Sequence, residues 1–254
     1  MKTSHWYNTQ GEAVFEVPRA SGGGMRPTTI ADARKLGLLP SVTTILGCID
    51  KPQLVSWKVA QAIQACYDNR PTGTLEEYIK AMEAKSEEQV TDAADLGSAI
   101  HAALEAAFAG ETYDAALAPY VLPTLAKVSQ AGIKLVQHEL RLVNPQYGYA
   151  GTTDAVMVDS AGRQGILDFK SRKTKPGQKC TPWETEPMQI AAYAIAQFSS
   201  LDGIVGSNVY ISTTEVGRVE IVTYTSDQLR EAWAAFLGAT KLWSYLKNYK
   251  PGTQ

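Results

Sequence analysis

Cysteine is scarce in this chain. Cys48, Cys66 and Cys180 are its only thiols, and they form neither a Cys-x-x-Cys pair nor any zinc-like spacing. That argues against a disulfide framework, so a reducing interior is the natural setting. Long apolar runs are missing too, and nothing is long enough to cross a bilayer. The opening MKTSHWYNTQGEAVFEV has no signal-like apolar stretch. The expected location is therefore cytoplasmic, meaning the cytoplasm of the infected bacterial host if the gene is viral, with no membrane partner. A charge excess is also lacking. Twenty-four Lys and Arg stand against 26 Asp and Glu, for a net charge of -2. A large basic surface is excluded on bulk grounds, but a local basic groove is not. No internal repeat, low-complexity tract or obvious linker interrupts the chain.

What is present is ordinary for a globular protein. The 254 residues can bury a full core, with 44% apolar and 20% charged residues. Charge is distributed unevenly along them. Arg163, Lys170, Arg172, Lys173, Lys175 and Lys179 form a basic run opposed locally only by Asp168. Glu76, Glu77, Glu83, Glu87, Glu88, Asp92 and Asp95 form an acidic one. Such asymmetry suits one face that attracts phosphate, although solvated helix faces give a similar pattern.

Periodicity sets the organisation. The first forty residues read as an extended or hairpin arm broken by SGGG at Ser21–Gly24. PSVTTILG, Pro40 to Gly47, opens a helix with Ser41 as its cap. Helices are predicted over Gln53–Tyr67, Leu75–Lys85, Asp95–Phe108 and Ala115–Ala131. The period then changes. Ile133–Val143, Tyr149–Val158 and Gly165–Phe169 read as strands, followed by a polar loop from Arg172 to Pro182. A helix over Glu186–Ser199, strands over Val205–Thr213 and Arg218–Thr223, and a helix over Asp227–Tyr249 close the chain. This order predicts an α/β (mixed α+β) fold with a central mixed sheet flanked by helices. Residues 1–94 are expected to form an N-terminal arm and helical cap, and residues 95–254 the core, both within one compact unit.

The segment GILDFKS places Asp168 and Lys170 on the same face of a strand, because side chains alternate. Asp154, in YGYAGTTDAVMV, sits on the preceding strand. Two carboxylates beside a lysine suit magnesium or manganese and the activation of water against a phosphodiester. The backbone carbonyl of Phe169, between Asp168 and Lys170, is a further oxygen donor for such an ion. The plain alternative is a salt bridge at a strand end. His101 and Glu105 share a helix face with Gly97. His101 is either a packed histidine or a metal ligand, with Glu105 as a further ligand or its orienting partner. His5 and His138 lack such company. Gln189 and Tyr193 are one helical turn apart, at the expected edge of a cleft. Trp57 and Trp183 are candidate platforms for stacking bases, and Arg172, Lys173, Lys175 and Lys179 are candidate phosphate contacts.

Taken in order, Gly97-x-x-x-His101-x-x-x-Glu105, Gly151-x-x-Asp154, Asp168-x-Lys170 and Gln189-x-x-x-Tyr193 resemble the RecB-like branch of the PD-(D/E)XK nuclease superfamily. PSVTTIL at Pro40–Leu46 is similar to the mitochondrial genome maintenance exonucleases and their bacteriophage relatives. The resemblance implies a restriction-endonuclease-like core and DNA cleavage dependent on one or two magnesium or manganese ions. It implies metal contacts for Asp154, Asp168 and His101, catalysis by Lys170, and an accessory role for Gln189 and Tyr193. Some members of the branch carry an iron–sulfur cluster on four cysteines. Three cysteines cannot hold one, so no such cluster is expected here. The function expected is an exonuclease preferring single-stranded DNA ends, in phage or bacterial DNA processing, recombination or repair. It would work beside a separate single-strand-binding, recombination or replication protein. An endonuclease or flap nuclease of the same fold, and a non-catalytic DNA-binding or assembly protein, are the alternatives. Asp168→Ala is expected to abolish cleavage and leave the fold intact.

Overall fold

A computed structural model describes residues 5–20 and 22–252. The chain divides into two compact units: Met1–Ile49 with Ala118–Gln254, and Asp50–Leu117.

The first unit begins with short elements. They are β1 (Trp6–Tyr7), β2 (Glu16–Pro18), β3 (Met25–Pro27), α1 (Ile30–Leu36), β4 (Leu39–Pro40) and α2 (Val42–Leu46). β2 and β3 pair antiparallel, the hairpin of the two forms expected for this arm. α1 was not predicted, although its signals are local. Thr29 and Asp32 form a capping box, and Gly37 ends the helix at φ +66. α2 starts where predicted, with the Ser41 hydroxyl accepting from the Thr44 N–H.

The second unit holds α3 (Pro52–Asp68) and α4 (Leu75–Ala109). α4 corrects the prediction of two separate helices. Its apolar stripe lapses between Lys85 and Asp95, but no Gly or Pro lies there, so nothing breaks the backbone ladder. Thr74 and Glu77 cap its start, and Gly110, at φ +76, its end.

The first unit resumes with α5 (Ala118–Gln130), β5 (Lys134–Asn144), β6 (Tyr149–Val158), β7 (Gln164–Arg172), α6 (Thr185–Phe198), β8 (Val205–Ser212), β9 (Val219–Tyr224) and α7 (Ser226–Lys247). The strands form one mixed sheet of order β5-β6-β7-β8-β9. All neighbours are antiparallel except β7 and β8. A parallel pair needs a crossover, which α6 provides. The result is a mixed α+β architecture with a central mixed sheet flanked by helices. α6 lies close on the sheet: a Cβ on Gly206 would stand 2.3 Å from Ile190 Cγ2. Trp6, Tyr149, Ile166, Ile190, Phe236 and Trp243 belong to the main buried cluster.

The division of the chain differs from the expected 1–94 and 95–254. Trp6 is buried against Trp243 and Tyr249, and Ser41 bridges to Ala150, so residues before Asp50 belong with the sheet. The helix bearing His101 falls in the other unit. Among the described residues no helix is long and apolar enough to cross a membrane.

Candidate active site

Alternation along β7 puts Asp168, Lys170 and Arg172 on the face that α6 covers. Asp168 is 3% exposed and takes three donors. Lys170 Nζ lies 2.6 Å from Oδ2. Asn208 Nδ2, on the neighbouring β8, donates to the same oxygen at 3.0 Å. Gln189 Nε2 donates to Oδ1 at 3.0 Å, and Gln189 Oε1 accepts from Lys170 Nζ at 3.2 Å. One amide on α6 thus spans both members of the ion pair. Tyr224 Oη donates to Asn208 Oδ1 at 2.8 Å, fixing the orientation of that amide in turn. Burial works against the charge on Lys170. The carboxylates of Asp168 and Asp154 outweigh it and hold the pKa above the ordinary lysine value.

Asp154 sits where two strands part. The β6–β7 ladder runs from Val158↔Gln164 to Ala155↔Leu167 and stops, although both strands continue. Beyond that point the Asp154 carboxylate takes the place of a ladder carbonyl, accepting from the Phe169 N–H at 2.6 Å. On the other side of β6, Glu139 of β5 falls between the pairs His138↔Ala155 and Leu140↔Thr153, opposite Asp154. Its φ is +44, a backbone state that costs a non-glycine residue about 1 kcal/mol or more.

Tyr193 stands one turn beyond Gln189. A Cβ on Gly151 would approach its hydroxyl to 2.8 Å, so the Gly-x-x-Asp motif makes room for this ring. Burial first, then the nearby Asp168, Tyr7 and Asp154, push the Tyr193 pKa well up and keep the phenol neutral. Tyr7 comes from β1, and its hydroxyl lies 3.4 Å from that of Thr152.

Arg172 is placed differently from the expected phosphate contact. Its guanidinium pairs with the buried Glu186, donates to the Thr181 carbonyl and lies over the rings of Trp183 and Tyr210. Trp183, expected as a base platform, therefore has one face covered by a cation. Lys173, Lys175 and Lys179 are exposed. The loop that carries them is docked on the turn between β8 and β9. Thr174 bonds to Thr214 and Glu215, Arg218 donates to the carbonyls of Lys175 and Gln178, and the Cys180 N–H donates to Glu220.

His101, half-buried, and Glu105, exposed, lie on α4, and half-buried Trp57 on α3. All three belong to the second unit, so the metal role of His101 rests on its helix spacing and the resemblance, and that of Glu105 on the spacing alone. Among the described residues no three His, Cys, Asp or Glu side chains gather as a metal cage. A cleft of about 440 Å³ between α7 and the β5–β6 turn, lined by Tyr147, Leu237, Lys241 and Tyr245, contains none of the site residues.

Asn208, Tyr224, Tyr7 and Glu186 were missed from sequence. Asn208 did carry a signal, as a polar residue in a strand otherwise suited to complete burial. No family model and no curated protein matches the chain. Among solved structures, one titled "Crystal structure of SSO0001" aligns over 54% of this chain and 63% of that one. The identity is 19% and the TM-score 0.32. The chain thus spans less than two thirds of that protein, and a likeness this low carries no argument.

Proposed function

We propose that this chain is a magnesium- or manganese-dependent deoxyribonuclease of the PD-(D/E)XK, RecB-like kind, acting as an exonuclease on single-stranded ends. The observation that carries the proposal is the joint geometry of Asp154, Asp168, Lys170 and Gln189. Two carboxylates on neighbouring strands lie beside a lysine that one helix amide ties to Asp168.

The donor chemistry fits the metal. Magnesium takes one or two carboxylates and completes its shell with waters and substrate oxygens, so a three-residue cage is not required. Asp154 and Asp168 would hold the ion, with the Phe169 carbonyl as a further oxygen donor. A bound magnesium or manganese would neutralise charge on the scissile phosphate and make a water more acidic. The protein's own part is positioning. Lys170, kept cationic by its carboxylate neighbours, donates to a phosphoryl oxygen or steadies the attacking water. Gln189 fixes the ammonium relative to Asp168, and the neutral Tyr193 closes the floor against Gly151. Lys173, Lys175 and Lys179, exposed on a docked loop, are suited to backbone phosphates. The exonuclease mode, the single-strand preference and a place in phage or bacterial DNA processing rest on the resemblance.

End-labelled linear and closed circular single-stranded DNA, each incubated with magnesium, with manganese or with a chelator, test the proposal. Linear strands should be degraded from an end only with the metal, and circles should survive. Cut circles would mean an endonuclease. No cleavage with either magnesium or manganese would leave a DNA-binding or assembly protein.

A further inference from the structure

Glu186 is a buried carboxylate with no part in the chemistry above. It is 4% exposed, yet three donors converge on it. They are Arg172 Nη2, Tyr210 Oη at 2.6 Å and the Trp183 N–H at 2.9 Å. The Arg172 guanidinium lies 4.6 Å from the Trp183 ring centroid and 4.5 Å from that of Tyr210. A planar cation tied to a carboxylate and lying against two aromatic rings has little freedom. Such a pair adds little net stability, because desolvation offsets the attraction. Its value lies in fixing one arrangement.

That arrangement is the register of α6 on β7. Glu186 and Gln189 are three residues apart on one helix face, a rise of roughly 4.5 Å. Arg172 and Lys170 are two apart on one strand face, roughly 6.6 Å. The helix and strand are therefore joined twice, by Arg172–Glu186 and by Lys170–Gln189–Asp168. A slip of one residue on either element would break both joints. The second joint includes Lys170, an exchangeable point charge. The first is the rigid one.

We propose that Glu186 is a positioning residue: it sets α6 on β7 so that the Gln189 amide spans Asp168 and Lys170. Only its effect on cleavage rests on the nuclease reading. The test uses the full chain labelled with nitrogen-15. The Gln189 side-chain amide is identified by the signal lost in Gln189→Met. In the parent protein its protons should exchange slowly, bonded to the Asp168 carboxylate. In Glu186→Gln, which keeps the shape but removes the charge, that exchange should quicken. kcat on a single-stranded oligonucleotide should fall about tenfold or more, with KM nearly unchanged. Tyr210→Phe removes one donor to Glu186 and should move both readouts the same way by less. It carries the test if Glu186→Gln does not fold. An unaltered Gln189 amide in the folded variants overturns the proposal, even if the melting temperature drops. If the parent protein cuts no DNA, the nuclease reading fails and the amide exchange still decides the role of Glu186.

Discussion

Two ion pairs stand side by side on one face of β7 and are built on different principles. Lys170 and Asp168 are joined by a flexible ammonium that keeps 26% of its side-chain surface exposed. Arg172 and Glu186 are joined by a stacked guanidinium with 16% exposed and further bonds at both ends. The first pair can be opened by an arriving cation or phosphate, because an ammonium on a four-carbon stem can turn elsewhere. The second cannot open without unstacking two rings. Adjacent positions on one strand thus separate a pair able to exchange partners from a pair that holds the frame.

The sharpest way to break this contrast is to remove members of each pair. Asp168→Ala and Lys170→Ala should each lower cleavage by at least about a hundredfold. Calorimetric titration with manganese should show binding lost in the first and kept in the second. Contrary to the expectation from sequence, Asp168→Ala should also destabilise the fold by about 3 kcal/mol, because the donors of Lys170, Gln189 and Asn208 are left facing an empty buried site. Chemical denaturation measures that loss, and an unchanged midpoint would contradict the burial argument.

Arg172→Ala should cost about 3 kcal/mol of stability, since it leaves the buried Glu186 charged and without its cation. It should leave the salt dependence of DNA binding unaltered. Replacing Lys173, Lys175 and Lys179 together by Gln should do the opposite. The denaturation midpoint should hold while the salt slope falls by about 2, for three phosphate contacts on a single strand. Binding isotherms at several salt concentrations decide it. If Arg172 moves the slope and the lysines do not, the two assignments are reversed.

Alkaline titration separates the pairs by a smaller effect. Lys170 has its pKa raised in the folded chain. Its contribution is therefore fully present below the ordinary lysine value of about 10.4 and lost as pH climbs through the higher folded value. Guanidinium groups keep their charge across that range. The stability difference between the parent protein and Lys170→Met should accordingly shrink above about pH 10.4. The loss caused by Arg172→Ala should persist. Melting curves from neutral to strongly alkaline pH provide the comparison.

Much of this face was legible in the sequence because it depends on short-range geometry. Period two put Asp168 and Lys170 together, and the helical turn put Gln189 with Tyr193. From β5 onward the order of strands and helices was readable for the same reason, as was the Ser41 cap of α2. What stayed hidden depends on encounters between distant segments. Asn208 reaches Asp168 only because β8 returns parallel to β7, and nothing local announces that neighbour. Arg172 read as one of a run of phosphate contacts, since its counter-charge lies beyond the loop on another element. The fork at Asp154 and the turned backbone at Glu139 arise from how three strands meet, which no single segment encodes.

The parallel pairing of β7 with β8 also governs when the face is completed. β5, β6 and β7 are joined by tight turns and can zip up as successive hairpins. β8 cannot join until α6 has crossed over, and such non-local pairings form slowly. Asp168 waits for Asn208, 40 residues downstream, and for Gln189 between them. A chain still emerging from the ribosome therefore carries the two aspartates and the lysine without the amides that aim them.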